Sequence, residues 1–304
     1  MAERHGLAKK AVDFYDKHYL RILIFPALML LLAIGVILFH YAKTGNFIET
    51  DVSLKGGITL TLLNEPNLGN AELNEFLLRE FPKADITVRT LSEAGRQKGL
   101  IVDATDISQD ELVAGIKEKI PSLTRDDYTA EVIGSSLGAS FFRETIYAVL
   151  IAFLFMAVVV FLYFKIPVPS LAVVLAAFSD MVCTWAVMVL FDIKLSTAGV
   201  AALLMLIGYS VDTDILLTSR VLKRKDQSIL DATLGAMRTG MTMSIAAIAS
   251  VLVAYFFTSS HVIKQIMIIL FIGLIFDILN TWLQNAAILR WYLERKEAKR
   301  KEKG

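Results

Sequence analysis

Five apolar runs crowd the second half of this chain, and a sixth stands apart near its start. The isolated run, Leu20–Phe39, is LRILIFPALMLLLAIGVILF. About 20 apolar residues rise about 30 Å as a helix, which is the thickness of a bilayer's hydrocarbon core. The others are Thr145–Phe164, Val168–Phe191, Ala198–Thr218, Met241–Phe257 and Lys264–Leu289. A 304-residue chain with mean hydropathy +0.57, 55% hydrophobic residues and 20% charged ones has too few charges to coat a soluble body and too much apolar surface for disorder. The pattern predicts an α-helical integral membrane protein with six transmembrane helices. Its expected segments are a cytoplasmic N-terminus at 1–19, a first helix at 20–40, an extracytoplasmic domain at 41–144, helices two to six at 145–289 and a basic cytoplasmic tail at 290–304.

The first run reads as a retained helix rather than a cleaved signal. It is long, about 20 residues precede it, and His40-Tyr41-Ala42-Lys43 offers no small-x-small cleavage site. Lys and Arg fix the orientation. Arg4, Lys9, Lys10, Lys17 and Arg21 precede the first span, Arg220, Lys223, Arg224 and Lys225 follow the fourth, and Arg290, Arg295, Lys296, Lys299, Arg300, Lys301 and Lys303 follow the sixth. Even-numbered crossings put all three clusters on one side, which the positive-inside rule makes the cytoplasm. Topology alone therefore accounts for the basic tail, and a net charge of +1 gives no field for nucleic acid. Membrane lipids are the surroundings these charges imply. The single cysteine, Cys183, lies in an apolar run and excludes a disulfide framework or a cysteine-rich metal site.

The polar stretch Tyr41–Glu144 reads as a domain of its own. Strand-like runs at Ile58–Leu63, Asp85–Leu91, Leu100–Val102 and Tyr128–Ile133 alternate with helical spacing at Gly69–Arg79 and a helix capped by Ser108 with Glu111 in the capping-box position. The order βαββαβ is the ferredoxin-like pattern, which hosts many functions and names none. It contains no metal-ligand spacing and no Ser/His/Asp grouping. No phosphate-binding loop, H-E-x-x-H or G-x-S-x-G motif occurs anywhere, so the chain is read as non-enzymatic, with no cofactor and no metal.

The chemistry sits in the spans. Asp180 in the third, Asp212 and Asp214 in the fourth and Asp277 in the sixth lie where each ionised group costs several kcal/mol unless paired, hydrated or protonated. In the stretch Gly208-Tyr209-Ser210-Val211-Asp212-Thr213-Asp214, the two acids point about 200° apart, so one should face the bundle interior. Gly208 is expected to let another helix come close, and Ser210, Thr213 and Thr218 add polar groups. Arg238 opens the fifth span at the cytoplasmic side; Asp212 and Asp214 lie about one to two turns from the cytoplasmic end of the fourth, a depth its long side chain can reach, and an Arg–Asp pair is expected there. A carboxylate alternating between a protonated form and an ionised, paired form is the switch that proton-driven cycling requires.

One span, an outer domain and five more spans resemble half of a resistance-nodulation-division transporter. The motifs resemble the SecF family of protein-export membrane subunits, in an archaeal form. They are Asp51-Val-Ser-Leu-Lys-Gly56-Gly57, Gly134-Ser-Ser-Leu-Gly138, Ser179-Asp180-Met181, Ile207-Gly208-Tyr209-Ser210-Val-Asp212-Thr213-Asp214, Arg238-Thr239 and Asp277 with Asn280-Thr-Trp282. Bacterial members carry Gly-Tyr-Ser-x-Asn-Asp-Thr, whose middle acid serves proton coupling. Thr213 stands at its place here, between Asp212 and Asp214. The resemblance implies work with SecD beside the SecY channel, an outer domain meeting the translocating polypeptide, and export driven by the proton gradient. A small-molecule or lipid exporter half, or a membrane scaffold without ion coupling, are the rival readings.

Overall fold

The structure, a computed structural model, describes residues 2–63, 69–93, 96–224, 227–258 and 260–302; Lys225 and Lys303 lie outside them. Six helices are long and apolar enough to cross a membrane, as the hydropathy pattern predicts. They are α2 (Ile24–Thr44), α6 (Ser135–Phe164), α7 (Pro167–Leu190), α8 (Thr197–Leu222), α9 (Ile229–Phe257) and a last rod in three parts. That rod is α10 (His261–Leu279), a π-helical segment Asn280–Asn285 and α11 (Ala286–Lys301). The chain opens with a further helix, α1 (Ala2–Ile22), which the polarity of this stretch had hidden. The boundary between α1 and α2 falls at Leu23, three residues before Pro26. Pro26 has no N–H to return to Ile22, so a new helix begins there with its proline in the first turn.

Between α2 and α6 lie α3 (Val52–Lys55), β1 (Gly57–Leu63), α4 (Asn70–Glu80), β2 (Asp85–Glu93), β3 (Arg96–Thr105), α5 (Gln109–Lys119) and β4 (Tyr128–Ile133). All strand pairs are antiparallel, in the order β2-β3-β1-β4. Period-2 alternation puts Ile58, Leu60 and Leu62 of β1 on one face, beside Leu100, Val102 and Ala104 of β3. Leu73 and Leu77 of α4 and Leu112 and Ile116 of α5 cover that face and complete the core. Ser108 accepts from the Glu111 N–H while Glu111 accepts from the Ser108 N–H, so the capping box expected from the sequence starts α5.

The other face of the sheet is polar and looks onto the end of the bundle. Thr87, Arg89, Asp103 and Thr105 line a cavity of about 500 Å³ whose far wall includes Lys194, Lys264 and Gln265. Arg89 pairs with Asp103, which also accepts from Thr59 Oγ1 at 2.8 Å. Burial raises the Asp103 pKa, and the Arg89 guanidinium and the Thr59 hydroxyl oppose that shift. Lys194, in the α7–α8 connection, ties the two parts together by donating to Asp85 at 2.8 Å and to Thr87 at 3.1 Å. The backbone adds Asp51 N–H to Leu195 O and Leu195 N–H to Glu49 O, both 2.8 Å.

Two of the glycine motifs meet at this seat. Gly56 and Gly57 have φ of 85° and 145°, a region that L side chains rarely adopt. Gly138, in the first turn of α6, packs so close to α3 that a Cβ on it would lie 2.3 Å from the Gly56 nitrogen. The motifs at 51–57 and 134–138 are therefore two halves of one backbone contact.

Candidate functional site

Three helices bring three of the four intramembrane acids together. Asp180 on α7, Asp214 on α8 and Asp277 on α10 are fully buried. Ser210 Oγ donates to Asp180 Oδ2 at 2.6 Å and Asn280 Nδ2 to Asp180 Oδ1 at 2.7 Å. Asp214 Oδ1 accepts from Asn285 Nδ2 at 2.8 Å and from Thr281 Oγ1 at 3.0 Å. Asp277 Oδ1 lies 2.8 Å from Thr213 Oγ1 and 3.2 Å from Thr281 Oγ1. Thr281 has one hydroxyl proton for two carboxylates, so it satisfies one at a time.

Acceptors outnumber donors. Asp214 Oδ2, Asp277 Oδ2, Asn280 Oδ1, Gln284 Oε1 and Asn285 Oδ1 are buried without a hydrogen-bond partner. Among the described residues no Lys, Arg or His forms an ion pair with any of the three acids. Each ionised carboxylate held in this way costs several kcal/mol. Among the described residues no group of three His, Cys, Asp or Glu side chains is arranged to hold a metal ion.

The π segment makes this geometry possible. Ala286 N–H bonds to Thr281 O, five residues back, and the wider turn gathers Asn280, Thr281, Gln284 and Asn285 on the inner side, all buried. Gln284 Nε2 also reaches Ser179 Oγ at 3.1 Å. Asn280 and Thr281 stood in the sixth-span motif, whereas Gln284 and Asn285 were missed. Their signal was present: uncharged polar side chains at positions i, i+1, i+4 and i+5 interrupt an otherwise apolar run.

The remaining sequence-predicted residues lie elsewhere. Asp212 is exposed on the outer side of α8, and Arg238 is exposed on α9. The expected Arg238–Asp pair is not formed, because Asp214 turns inward and finds its partners on the π segment. Gly208 faces outward with nothing within 4 Å of a Cβ built on it, so it serves no close helix approach within this chain. Tyr209 is 47% exposed, while Ser210 and Thr213 turn inward to the acids. Asp51 starts α3 and stands 4.0 Å from Arg89 at the seat of the domain, and Gly56 and Gly57 belong to the same seat.

The family model described as "Protein export membrane protein SecD/SecF, C-terminal" matches residues 116–295. The SecF protein of Methanothermobacter thermautotrophicus is 42% identical over 290 residues, covering 93% of this chain and 96% of that one. That of Pyrococcus furiosus is 37% identical over 279 residues, covering 92% and 93%. The crystal structure of SecDF from Thermus thermophilus superposes with a TM-score of 0.70 at 18% identity, over 91% of this chain and 38% of that one. A SecDF crystal structure in a super-membrane-facing form gives 0.62 at 20% identity, over 95% and 40%. At these identities the crystal structures speak for the fold alone, and the chain spans about two-fifths of their length. With its curated relatives matched nearly end to end, the chain belongs to the SecF family of protein-export membrane proteins.

Proposed function

We propose that the chain is the SecF-type subunit of the Sec export machinery and that it acts with a SecD-type partner to move polypeptides across the cytoplasmic membrane. It draws on the proton gradient and catalyses no covalent chemistry. The observation that carries this reading is the buried trio Asp180, Asp214 and Asp277, which pairs with no cation among the described residues and is surrounded by Ser, Thr and Asn groups able to follow a proton. The names of the curated relatives support the export role.

A second observation supports the partner. Met205, Gly208, Tyr209 and Asp212 form an exposed stripe along α8, and Arg238, Thr239 and Thr242 form another on α9. A charged side chain turned toward lipid in a span costs about 2.5–3.5 kcal/mol at the centre of a helix. Facing a second six-helix half removes that cost, and a SecD-type half is the partner that fits. Mild-detergent purification of the tagged chain from its native membrane should recover a second six-span protein, with or without the SecY channel. Recovery of the chain alone would overturn the partner and raise the exporter reading.

In this reading both termini are cytoplasmic, and the βαββαβ unit is an extracytoplasmic, ferredoxin-like module that meets the emerging polypeptide. A membrane-impermeant maleimide should label Lys83→Cys from outside intact cells and Glu302→Cys only after lysis, both in a Cys183→Ser background. The reverse pattern would invert the topology.

A further inference from the structure

Tyr15 of the N-terminal helix reaches the π segment that holds the three acids. Tyr15 Oη donates to the backbone carbonyl of Trp282 at 2.9 Å, in the middle of the π segment. Around that contact α1 is fastened to α11. Arg290 binds Asp16, donates from Nε to Glu294 Oε1 at 2.8 Å, and lies 4.3 Å from the centroid of the Tyr19 ring. Tyr19 Oη donates to Glu294 Oε2 at 2.5 Å. On the opposite side the Trp282 ring lies on α9 at Gly240, where a Cβ would stand 2.3 Å from it. Trp282 is thus held by its carbonyl from one helix and by its ring from another. Its neighbours Asn280, Thr281 and Asn285 hold the three acids.

A π segment contains one residue more than an α-helix would need over the same rise, and that surplus can move along the rod by rebonding. Moving it by one residue turns Asn280, Thr281 and Asn285 relative to Asp180, Asp214 and Asp277. We infer that Tyr15 is a positioning residue: by binding the Trp282 carbonyl, α1 holds the π segment in the register that places its polar side chains on the three acids. Release of α1 frees the register, so contacts made by α1 on the other side of the chain bias access to the acids. Burial pushes the Tyr15 pKa up to about 12, with the Arg290 charge opposing, so the hydroxyl remains a donor across the working range.

This inference rests on the acids being the proton-holding groups. The test keeps the two ideas apart. The full-length chain in lipid nanodiscs is treated with dicyclohexylcarbodiimide, which reacts with protonated carboxyls in apolar surroundings, and labelling at Asp180, Asp214 and Asp277 is followed by mass spectrometry across a pH series. Besides the three acids themselves, the charged groups facing the α1 contact are Asp16, Arg290 and Glu294. Tyr15→Phe deletes one hydroxyl and should change the labelling rate at Asp214 by about fivefold, the effect of one ordinary hydrogen bond on a two-state equilibrium, with a displaced pH profile. Tyr147→Phe, on the exposed side of α6, should leave the profile unchanged. Gly240→Ala, which pushes on the ring from α9, should displace the profile as Tyr15→Phe does. Wild-type labelling with an unaltered profile in Tyr15→Phe overturns the positioning role alone. An equal change in Tyr147→Phe overturns it as well. Absence of labelling at all three acids in the wild type overturns the proton-site reading and this inference with it.

Discussion

Gly138→Ala is expected to unseat the βαββαβ domain, at a cost of about 3 kcal/mol, whereas Gly208→Ala in α8 is expected to be neutral or slightly stabilising. Both glycines lie inside long helices, where propensity alone favours alanine. The difference is what a methyl group meets. At Gly138 the new Cβ would stand 2.3 Å from the Gly56 nitrogen and 2.6 Å from the Lys55 carbonyl carbon, backbone atoms that no rotamer change can move aside. At Gly208 nothing lies within 4 Å. Thermal unfolding of the two purified variants, with proteolysis of the βαββαβ domain as a local readout, checks the contrast. Equal behaviour would show that the α3–α6 contact does not hold the domain.

The second large effect concerns the acids. Asp214→Asn preserves volume and keeps an oxygen that can accept from Thr281 and Asn285, so the chain should fold and assemble with its partner. It removes the one property the reading depends on, the ability to take up and release a proton. Gradient-driven export should fall about tenfold or more, equivalent to about 1.4 kcal/mol in the barrier. Asp212→Asn should leave this step unchanged, since Asp212 lies on the outside of α8, away from the cluster. A pH series should separate the two further. Wild-type export should respond to the outer pH, and Asp214→Asn should not.

How far the sequence reached depended on the physical signal each residue leaves in it. Hydrocarbon length, period-2 alternation in β1 and the Ser108–Glu111 box act locally, and they foretold the six spans and the βαββαβ order. Asp180, Asp214 and Asp277 were legible because an ionisable group in an apolar run is costly wherever it points. Which way Asp212 and Arg238 point was not legible. Asp212 stands close to Asp214 along α8, but position along a helix does not fix its face, and only packing by α7 and α10 decides that Asp214 turns in and Asp212 out; Arg238 lies level with Arg220, which bonds Gly235 and Thr239 of α9. The π segment was hidden for a related reason. One surplus residue changes no composition and no span length, yet it decides that Thr281 and Asn285 reach Asp214. The helix α1 escaped because its stability comes from Tyr15, Asp16 and Tyr19 meeting Trp282, Arg290 and Glu294, more than 260 residues away in the sequence.

The central claim is that protons held by the buried acids drive export. Its most direct test follows a secreted polypeptide arrested late in translocation, in membrane vesicles carrying the assembled machinery, and measures its completion with and without a protonophore. For the wild-type chain, completion should slow about tenfold on adding the protonophore. The Asp214→Asn chain should be equally slow from the start and indifferent to it. Completion by Asp214→Asn at the wild-type rate, with full sensitivity to the protonophore, would contradict the account.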